Sequence, residues 1–379
     1  MSYRQKIFIE ATPLINTHIS GVGQVLLETV KALDDDRFID TYDIRLFVPI
    51  NELSKMNKYS FNNIKVISIP IPHKFFSLFS RLKYAVPLDL LLGKGVYIFP
   101  NFRNWNLLFS KSLTYIHDVC FAIYPQYVQP KNLQYLKKYI QLWIKRTDRV
   151  LTISQSSKDE IVEHLGVAHD KVSIILNTVN THFYKKQPRE AVDNIKKKYS
   201  LDNYLLFIGN IEPRKNLENL IKAFKEAKIT QPTTLFIVGG DGWLNENVYT
   251  QIEEAKKLGL DVRKNKSYVP DDDLPALISG ANALILPSWH EGYGLPAVQA
   301  IACGTVAICA DIPSLRELSV TYGDSMELFK PDDTKALGVL LYKYADEGNK
   351  SIKTVRVPRE WADVVNDLIA ESVSVRSSL

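Results

Sequence analysis

The chain has 379 residues, of which 46% are hydrophobic and 23% charged, with a net charge of +5. This length exceeds what one hydrophobic core normally serves, so two domains are expected. No uncharged apolar run reaches the roughly 18 residues that cross a bilayer, no signal-peptide pattern is visible, and three scattered cysteines exclude a disulfide framework. These features predict a cytoplasmic globular protein, and no Cys/His spacing indicates a metal site.

The charge is unevenly distributed along the chain. Residues 1–186 carry nine more basic than acidic side chains, whereas residues 187–379 carry four more acidic than basic ones. A basic first half favours an anionic partner such as a lipid surface or a phosphorylated acceptor, with a solvated basic face as the alternative. No nucleic-acid recognition module is present, so nucleic acid is not expected as a partner.

The first predicted unit is a strand, a glycine loop and a helix. The strand covers Ile7–Glu10, the loop is Ser20-Gly21-Val22-Gly23, and the helix contains Val25. The loop lacks the third glycine of the dinucleotide-binding fingerprint, so a hydride-transfer cofactor is not predicted, and a plain turn is the alternative. Further strands rich in Val, Ile and Leu are typical of a parallel sheet covered on both faces: Ile44–Val48, Val66–Pro70, Val96–Pro100, Ser112–Ile116, Val150–Ser154 and Val172–Leu176.

Polar residues follow several of these strands, at the edge where doubly wound sheets bind ligands. Asn101 and Arg103 follow one strand, His117 and Asp118 follow the next, and Ser154 ends a third. A histidine at a strand end suits an acid–base or ligand-binding role, and a purely structural histidine is the alternative. Asp118 is expected to orient the imidazole or to cap the next segment.

Two stretches of the first half are candidates for membrane contact. Residues 73–93 mix large apolar side chains with lysine and arginine, and residues 131–146 predict a helix with one apolar face and several lysines. Basic amphipathic segments bind anionic membranes. The alternative is a core-facing apolar stripe with solvated lysines.

A polar stretch, Lys185–Tyr199, separates the two halves of the chain. We interpret it as the interdomain linker and the start of a second domain. A second set of strands of the parallel type follows it: Tyr204–Ile208, Thr234–Val238, Ala283–Leu286 and Val306–Cys309. The order of strands and helices predicts another doubly wound α/β domain.

A basic pair follows the first strand of this second set. Arg214 and Lys215 precede Asn216, a residue type that favours the N-cap position, and an amphipathic helix from Leu217. Two cations at a helix N-terminus oppose the helix dipole, so helix stability is a poor reason for them. Together with backbone N–H donors they would form a phosphate or diphosphate site, with a plain solvated pair as the alternative.

The most informative stretch is Leu284–Ala310, which indicates strand, glycine loop, helix, glycine stop and strand. Gly292 and Gly294 form the loop, and Gly304 is placed to end the helix in a left-handed cap. A loop of this kind aims backbone N–H groups at an anion, and Glu291 at its mouth is placed to accept hydrogen bonds from hydroxyls. A tight structural connection is the alternative.

Another glycine turn, Gly239–Gly242, follows the strand Thr234–Val238. The segment Tyr268-Val269-Pro270 comes later, before an acidic helix start, and a nucleotide base could stack there.

In combination, these segments resemble a retaining glycosyltransferase of family 4, which has the GT-B fold. The matching segments are GNIEPRKNLENLI at 209–221, residues 267–305 with HEGYGLPAVQA, IHD at 116–118 and the early SGVG loop. Their order and spacing match along nearly the whole chain. The pattern looks most like that of bacterial mannosyl- or rhamnosyltransferases that build polysaccharides.

The resemblance implies an α/β protein with two Rossmann-like, doubly wound parallel-sheet domains facing a cleft. Residues 1–185 would form the N-terminal, acceptor-binding domain. Residues 186–358 would form the C-terminal domain that binds the nucleotide-sugar. A C-terminal helix within residues 359–379 would cross back onto the first domain.

The resemblance also implies roles for individual residues. Arg214 and Lys215 would bind the donor diphosphate, Glu291 would contact hydroxyls of the donor sugar, and His117 would lie near the transferred sugar. Further donor-binding positions are Gly21, Gly23, Asn210, Val269, Gly292, Tyr293, Gly294, Leu295 and Gln299.

Two positions depart from the family pattern. The family has a second glutamate eight residues after the first, where it usually holds the nucleotide ribose, and here that position is Gln299. An amide still forms hydrogen bonds with a ribose, but without the charge that strengthens them. Thr178, where the family usually has glycine, is a smaller departure.

The expected reaction is transfer of a hexose, with mannose favoured, from a nucleotide-diphosphate sugar such as GDP-mannose to a saccharide or lipid-linked saccharide. No metal or additional cofactor is expected. The alternatives are a rhamnosyl- or glucosyltransferase using a dTDP- or UDP-sugar, a non-catalytic partner subunit, and a nucleotide-sugar epimerase. The expected location is the cytoplasm or the inner face of the cell membrane, with peripheral contact through the basic first domain.

Overall fold

The structure, a computed structural model, describes residues 4–348 and 356–377. The chain divides into two compact units. The first combines Met1–Ile123, Pro130–Asn177 and Trp361–Leu379, and the second combines Tyr124–Gln129 with Thr178–Glu360. A six-residue piece of the second unit therefore interrupts the first half of the sequence.

The first unit is built on one parallel sheet. Its strands are β1 (Gln5–Glu10), β2 (Tyr42–Pro49), β3 (Lys65–Ile69), β4 (Val96–Phe99), β5 (Lys111–Tyr115), β6 (Arg149–Thr152) and β7 (Val172–Ile174). Their order across the sheet is β3-β2-β1-β4-β5-β6-β7, and Ile7 of the central strand pairs with Ile44 on one side and Val96 on the other. All seven predicted strands are confirmed, because continuous apolar runs satisfy a sheet that is buried on both faces.

Helices connect these strands. They are α1 (Gly21–Leu33), α2 (His73–Phe79), α3 (Leu88–Leu92), α4 (Cys120–Ile123), α5 (Pro130–Arg146) and α6 (Gln155–Leu165). The predicted glycine loop at 20–23 is wrong in one respect, because α1 already begins at Gly21. The Ser20 hydroxyl accepts a hydrogen bond from the Gly23 N–H at 3.4 Å, so Ser20 caps the helix and both glycines lie in its first turn.

Aromatic side chains fill one part of this unit's core. Phe8 stacks on Tyr97 with 4.7 Å between ring centroids, and Phe76 of α2 lies 4.8 Å from Trp105. All four side chains are almost fully buried. Helix α2 and the loop that contains Trp105 are therefore anchored to the sheet by large apolar contacts.

The second unit is built on a six-stranded parallel sheet. Its strands are β8 (Tyr204–Ile208), β9 (Thr234–Val238), β10 (Asp261–Lys264), β11 (Ala283–Leu286), β12 (Ala307–Ala310) and β13 (Met326–Phe329), in the order β10-β9-β8-β11-β12-β13. The four predicted strands are the central ones. The two outermost strands were not predicted, because an edge strand is only partly buried and does not need a continuous apolar run.

The helices of the second unit are α7 (Arg189–Tyr199), α8 (Leu217–Glu226), α9 (Glu246–Lys257), α10 (Leu274–Ser279), α11 (Leu295–Ala302), α12 (Pro313–Tyr322) and α13 (Thr334–Glu347). Most of the polar stretch interpreted as a linker is thus α7, in which Ile195 is the buried residue. The helix predicted from Leu217 is confirmed as α8, with its apolar face buried.

A last helix, α14 (Trp361–Ser377), belongs to the first unit and packs against α1. Among residues 4–348 and 356–377, no helix is both long enough and apolar enough to cross a bilayer.

Candidate active site

The candidate site of the second unit is formed by the loops that follow β8 and β11, at the carboxyl ends of neighbouring parallel strands. Loop β8–α8 carries Arg214 and Lys215 in a single 3-10 turn, Pro213–Lys215. Loop β11–α11 carries Glu291. The Trp289 N–H donates to the Arg214 carbonyl at 2.9 Å, so the two loops are tied together by their backbones.

Asn216 fixes the geometry of the basic pair. Its φ of +57° places it in the left-handed region, and its side-chain amide donates to the carbonyls of Pro287 and Pro331, at 2.9 Å each. Asn216 therefore occupies the predicted N-cap position of α8, but its side chain does not hydrogen-bond to the end of that helix. Asparagine tolerates the left-handed conformation, and here its side chain links three loops instead of satisfying the helix end.

Glu291 is the centre of an ion-pair cluster. One carboxylate oxygen, Oε1, accepts from Lys215 Nζ at 2.6 Å and from the Ser288 hydroxyl at 2.6 Å. The other, Oε2, accepts from Arg214 Nη1 at 3.1 Å. The Glu291 carbonyl accepts from the Ser314 hydroxyl at 2.7 Å, which holds the backbone in place as well.

Arg214 has a second carboxylate partner. Its Nη2 and Nε donate to Glu212 Oε1 at 2.7 and 3.1 Å, and its Nη1 also donates to the His290 carbonyl at 2.8 Å. The basic pair predicted from the sequence is therefore neutralised by two carboxylates, Glu212 and Glu291. The partnership with Glu212 was not predicted, because a glutamate two residues from an arginine is common on solvated surfaces and carries no signal of its own.

The electrostatics of Glu291 follow from this packing. Its side chain is only 9% exposed. Burial by itself would raise the pKa of the Glu291 carboxyl, but the charges of Lys215 and Arg214 and the hydrogen bonds from Lys215 and Ser288 outweigh burial and lower that pKa to about 2. Glu291 is therefore ionised at neutral pH and held in one orientation.

Gly294 directly precedes the helix that follows Glu291. It occupies the N-cap position of α11 with a φ of +102°, and a Cβ there would lie 2.4 Å from Leu315 Cδ2. A side chain is therefore disfavoured on two counts. The predicted left-handed cap at Gly304, with a φ of +78°, is confirmed at the other end of this helix.

The remaining donor-binding candidates of this loop and helix lie around Gly294. Gly292 and Tyr293 are buried, and burial raises the pKa of the Tyr293 hydroxyl. Leu295 is the first residue of α11, and Gln299 lies within this helix, 8% exposed. No side-chain hydrogen bond joins Gln299 to any residue in the described part of the chain.

Asn210 and Val269 differ in their surroundings. Asn210 is exposed in the loop after β8, whereas Val269 is buried. The Asn210 loop lies directly on the glycine turn after β9, since a Cβ on Gly239 would come within 1.9 Å of the Gly209 carbonyl oxygen. This close approach explains the glycine at 239 without a ligand.

The other predicted site residues lie in the first unit. His117 directly follows Ile116, the residue after β5. Its imidazole stacks on Tyr115, and a 2.7 Å hydrogen bond joins its Nε2 to the Pro100 carbonyl oxygen. Burial lowers the pKa of His117, although the Pro100 carbonyl and Asp118 oppose that shift. Asp118 accepts from the Cys120 N–H at 3.0 Å, so it caps the next segment.

Gly21 and Gly23 occupy different environments within the first turn of α1. A Cβ on Gly21 would meet no atom within 4 Å, whereas a Cβ on Gly23 would lie 2.9 Å from both the Pro13 carbonyl oxygen and Ile19 Cβ. Val22 of the same turn and His117 line a small apolar cavity of about 20 Å³. Steric crowding by Pro13 and Ile19 therefore explains the glycine at position 23. No described atom crowds position 21 in the same way.

Two aromatic residues that sequence reasoning missed contact the Glu291 loop. In the inserted segment 124–129, Tyr127 stacks on Trp289 with 6.1 Å between centroids, and Tyr124 meets His290 edge-on at 6.0 Å. No local sequence pattern predicts these contacts, because about 160 residues of chain separate the partners.

Family models match both halves of the chain. Residues 19–183 match the model described as Glycosyltransferase Family 4, and residues 177–352 match that of the group 1 glycosyl transferases. The two matches together span most of the sequence.

Individual proteins show the same relationship. The chain is 27% identical to the O-antigen chain mannosyltransferase B of Escherichia coli, over 92% of this chain and 93% of that protein. It is 30% identical to the O-antigen chain mannosyltransferase RfbU of Salmonella typhimurium, over 61% of this chain and 59% of that protein.

The fold has relatives among solved structures. The crystal structure of HepE from Anabaena in complex with UDP and glucose superposes with a TM-score of 0.67 at 15% identity, covering 99% of this chain and 98% of HepE. Two parallel-sheet, Rossmann-like units are the GT-B architecture that the sequence predicts. The chain is therefore a glycosyltransferase that belongs to family 4 and is related to bacterial O-antigen mannosyltransferases.

Proposed function

We propose that this glycosyltransferase moves a hexose, mannose first among the candidates, from a nucleoside-diphosphate sugar to a saccharide or lipid-linked saccharide. The observation that carries the proposal is the buried cluster of Glu291, Arg214 and Lys215 in the second unit. The O-antigen mannosyltransferases to which the chain is similar support mannose and an O-antigen-type product.

A glucosyl donor is the second candidate. HepE was crystallised with UDP and glucose, and a 2-deoxystreptamine glucosyltransferase is 23% identical to this chain over 65% of it. We rank GDP-mannose first, a dTDP-rhamnose second and a UDP-hexose third.

Arg214 and Lys215 are proposed to bind the donor diphosphate. During transfer, the bond between the anomeric carbon and the phosphate oxygen breaks and its electron pair passes to the diphosphate. Cations already fixed by Glu212 and Glu291 need no reorganisation to stabilise that growing charge, which is the property that makes preorganised groups effective. We propose that these two side chains supply this stabilisation without a metal ion or additional cofactor.

The acceptor hydroxyl oxygen is proposed to bond to the anomeric carbon on the face that the phosphate leaves, which retains the configuration. Its proton passes to the departing phosphate oxygen. Glu291 is proposed to orient the donor sugar by accepting hydrogen bonds from sugar hydroxyls, because its low pKa keeps it ionised and acceptor-only. Gln299 is proposed to donate to or accept from the ribose hydroxyls.

The test is a binding panel followed by a transfer assay. Thermal shift with GDP-, UDP- and dTDP-sugars should show one preferred nucleotide, since a ligand at 100 times its Kd stabilises the folded protein by about 2.7 kcal/mol. With the preferred donor, free nucleotide should appear only when a saccharide acceptor is added.

The alternatives give different outcomes in the same assay. Binding without nucleotide release for any acceptor would indicate a non-catalytic partner subunit, and conversion of the sugar without an acceptor would indicate an epimerase. We also propose that the enzyme works in the cytoplasm at the inner face of the cell membrane, where a lipid-linked acceptor would be held.

A further inference from the structure

We propose that the first unit binds anionic lipid bilayers through one preformed surface, here called the apolar patch: Phe75, Tyr84, Val86, Leu90, Leu108 and Phe109. This inference rests on the proposed location at the membrane and names the surface that produces it. It does not depend on the donor chemistry, because no residue of the patch belongs to the cluster around Glu291.

The side chains of the patch are well exposed to solvent. Its six side chains are between 49% and 84% exposed, although all are large and apolar. Single exposed apolar residues are ordinary on protein surfaces, whereas several on connected segments indicate an interaction site. Leu78, Leu82 and Leu91, from the same segments, are also exposed.

Hydrogen bonds hold the patch segments together. The buried Asp89 carboxylate accepts from the N–H groups of Leu108 and Phe109, at 2.9 and 2.6 Å, and so fixes their loop against α3. The Trp105 indole N–H donates to the Val86 carbonyl at 2.7 Å, and the Trp105 ring packs on Phe76 of α2. The exposed side chains therefore project from an ordered scaffold.

The sequence segment that carries the patch is strongly basic. Between residues 53 and 117 the sequence has nine lysines and arginines and a single acidic residue, Asp89. Asp89 is buried and engaged by backbone N–H groups, so it presents no negative charge at the surface. Lys74, Lys83 and Lys94 are exposed next to patch residues.

The second membrane candidate of the sequence, α5, is joined to the same surface. The Trp143 indole and Arg146 Nη1 of α5 both donate to the Ser80 carbonyl, at 2.9 and 2.8 Å, and Arg146 also donates to the Leu82 carbonyl. Lys137 and Lys138 of the same helix are also exposed. Helix α5 is thus hydrogen-bonded to the segment that carries part of the patch, although about 50 residues of sequence separate the two.

An anionic bilayer fits this face better than a protein does. Lysines attract acidic headgroups while aromatic and leucine side chains enter the boundary between headgroups and acyl chains, which is the combination that peripheral membrane proteins use. A folded protein partner would need a surface that is both apolar and free of basic residues. A bilayer with acidic headgroups offers apolar acyl chains and no basic groups, however large the contact is.

The experiment is vesicle co-sedimentation of the full chain with phosphatidylcholine vesicles, with and without about 30% phosphatidylglycerol, at about 0.1 and 0.5 M salt. Wild type should bind only the anionic vesicles and should dissociate at the higher salt. Replacing Lys74, Lys83 and Lys94 by glutamine should lower partitioning roughly 100-fold, because each lysine near an anionic surface contributes about fivefold. Replacing Leu90, Leu108 and Phe109 by serine should lower it roughly 10-fold or more.

Matched controls come from the second unit. Replacing Lys222, Lys257 and Lys335 by glutamine, or Leu258, Val320 and Val339 by serine, also changes exposed residues and should leave binding unchanged. Circular dichroism melting of each variant shows that it is folded.

Three outcomes would overturn the proposal: no binding of wild type to anionic vesicles, equal losses in patch and control variants, or a concentration-dependent dimer that the patch variants abolish without vesicle binding. Nucleotide release with a water-soluble acceptor, measured in parallel without vesicles, shows separately whether the proposed transfer reaction holds.

Discussion

The basic pair of the candidate site is the residue-level feature with the greatest expected effect on transfer. Arg214→Ala and Lys215→Ala should each lower turnover by about 100-fold or more, because preorganised charge at the departing diphosphate is removed. Lys222→Ala, an exposed lysine of the adjacent helix α8, is the control. Nucleotide release under saturating donor is the measurement, and near wild-type rates in either variant would remove Arg214 and Lys215 from the mechanism.

Glu212 gives a prediction in the opposite direction. It neutralises part of the Arg214 charge before any anion arrives, through two hydrogen bonds to one carboxylate oxygen. Glu212→Gln should therefore bind the free nucleoside diphosphate more tightly, by roughly threefold to tenfold, since a competing carboxylate is lost.

Titration calorimetry with GDP and UDP measures this change. Glu218→Gln, which removes an exposed carboxylate from α8, serves as the control and should bind like wild type. Weaker binding by Glu212→Gln would mean that Glu212 acts mainly by positioning the Arg214 guanidinium.

At the scale of elements, the start of α11 is the point where backbone geometry is most constrained. Gly294→Ala should reduce the free energy of unfolding by about 1–3 kcal/mol, because alanine disfavours a φ of +102° and its Cβ would collide with Leu315. Gly21→Ala is the matched control. It adds a Cβ in open space at the first position of α1, and its stability should equal or slightly exceed that of wild type.

Urea unfolding monitored by circular dichroism compares the two variants. If Gly21→Ala is as stable as wild type but loses donor binding, the loss reflects an approach of ligand to α1 and not a change of fold. Equal stability of Gly294→Ala and wild type would contradict the constraint described for α11.

Elements also differ in how well the sequence predicts them. Central strands such as β8 and β11 are covered on both faces, so each has a continuous apolar run that is visible without a structure. Edge strands β10 and β13 are partly exposed and mix polar with apolar residues, and their pairing depends on neighbours distant in sequence. Helix α7 within the polar stretch 185–199 is likewise mostly polar, with Ile195 as its buried residue, and its sequence therefore favoured a linker.

At the scale of the whole molecule, the buried Glu291 makes stability depend on pH. Its pKa of about 2 lies below the ordinary value of 4.5, so its contribution is fully present above pH 4.5 and is lost as the pH falls from there towards 2. Between pH 6 and pH 3.5 the stability advantage of wild type over Glu291→Gln should shrink by about 1 kcal/mol.

Urea unfolding at the two pH values measures this difference. Glu253→Gln, which changes an exposed glutamate of α9, corrects for the general effect of removing a surface carboxylate. An advantage that stays constant between pH 6 and pH 3.5 would show that Lys215 and Arg214 do not lower the Glu291 pKa in solution.

The sequence by itself determined the α/β class, the central strands of both sheets, the glycines on either side of α11 and the family to which the chain belongs. Each of these follows from local patterns, such as an apolar run, a residue that tolerates a positive φ, or a motif of fixed spacing. It also brought Arg214, Lys215 and Glu291 to attention as separate signals.

Only the tertiary structure decided how those signals combine. It joined Glu291 to both cations across 76 and 77 residues of chain, added Glu212 as a competing partner, and placed Tyr124 and Tyr127 against the Glu291 loop. It also joined α5 to the segment around Ser80 through hydrogen bonds from Trp143 and Arg146. The physical reason is that ion pairing, burial and surface exposure depend on distances between residues remote in sequence, and chain folding alone sets those distances.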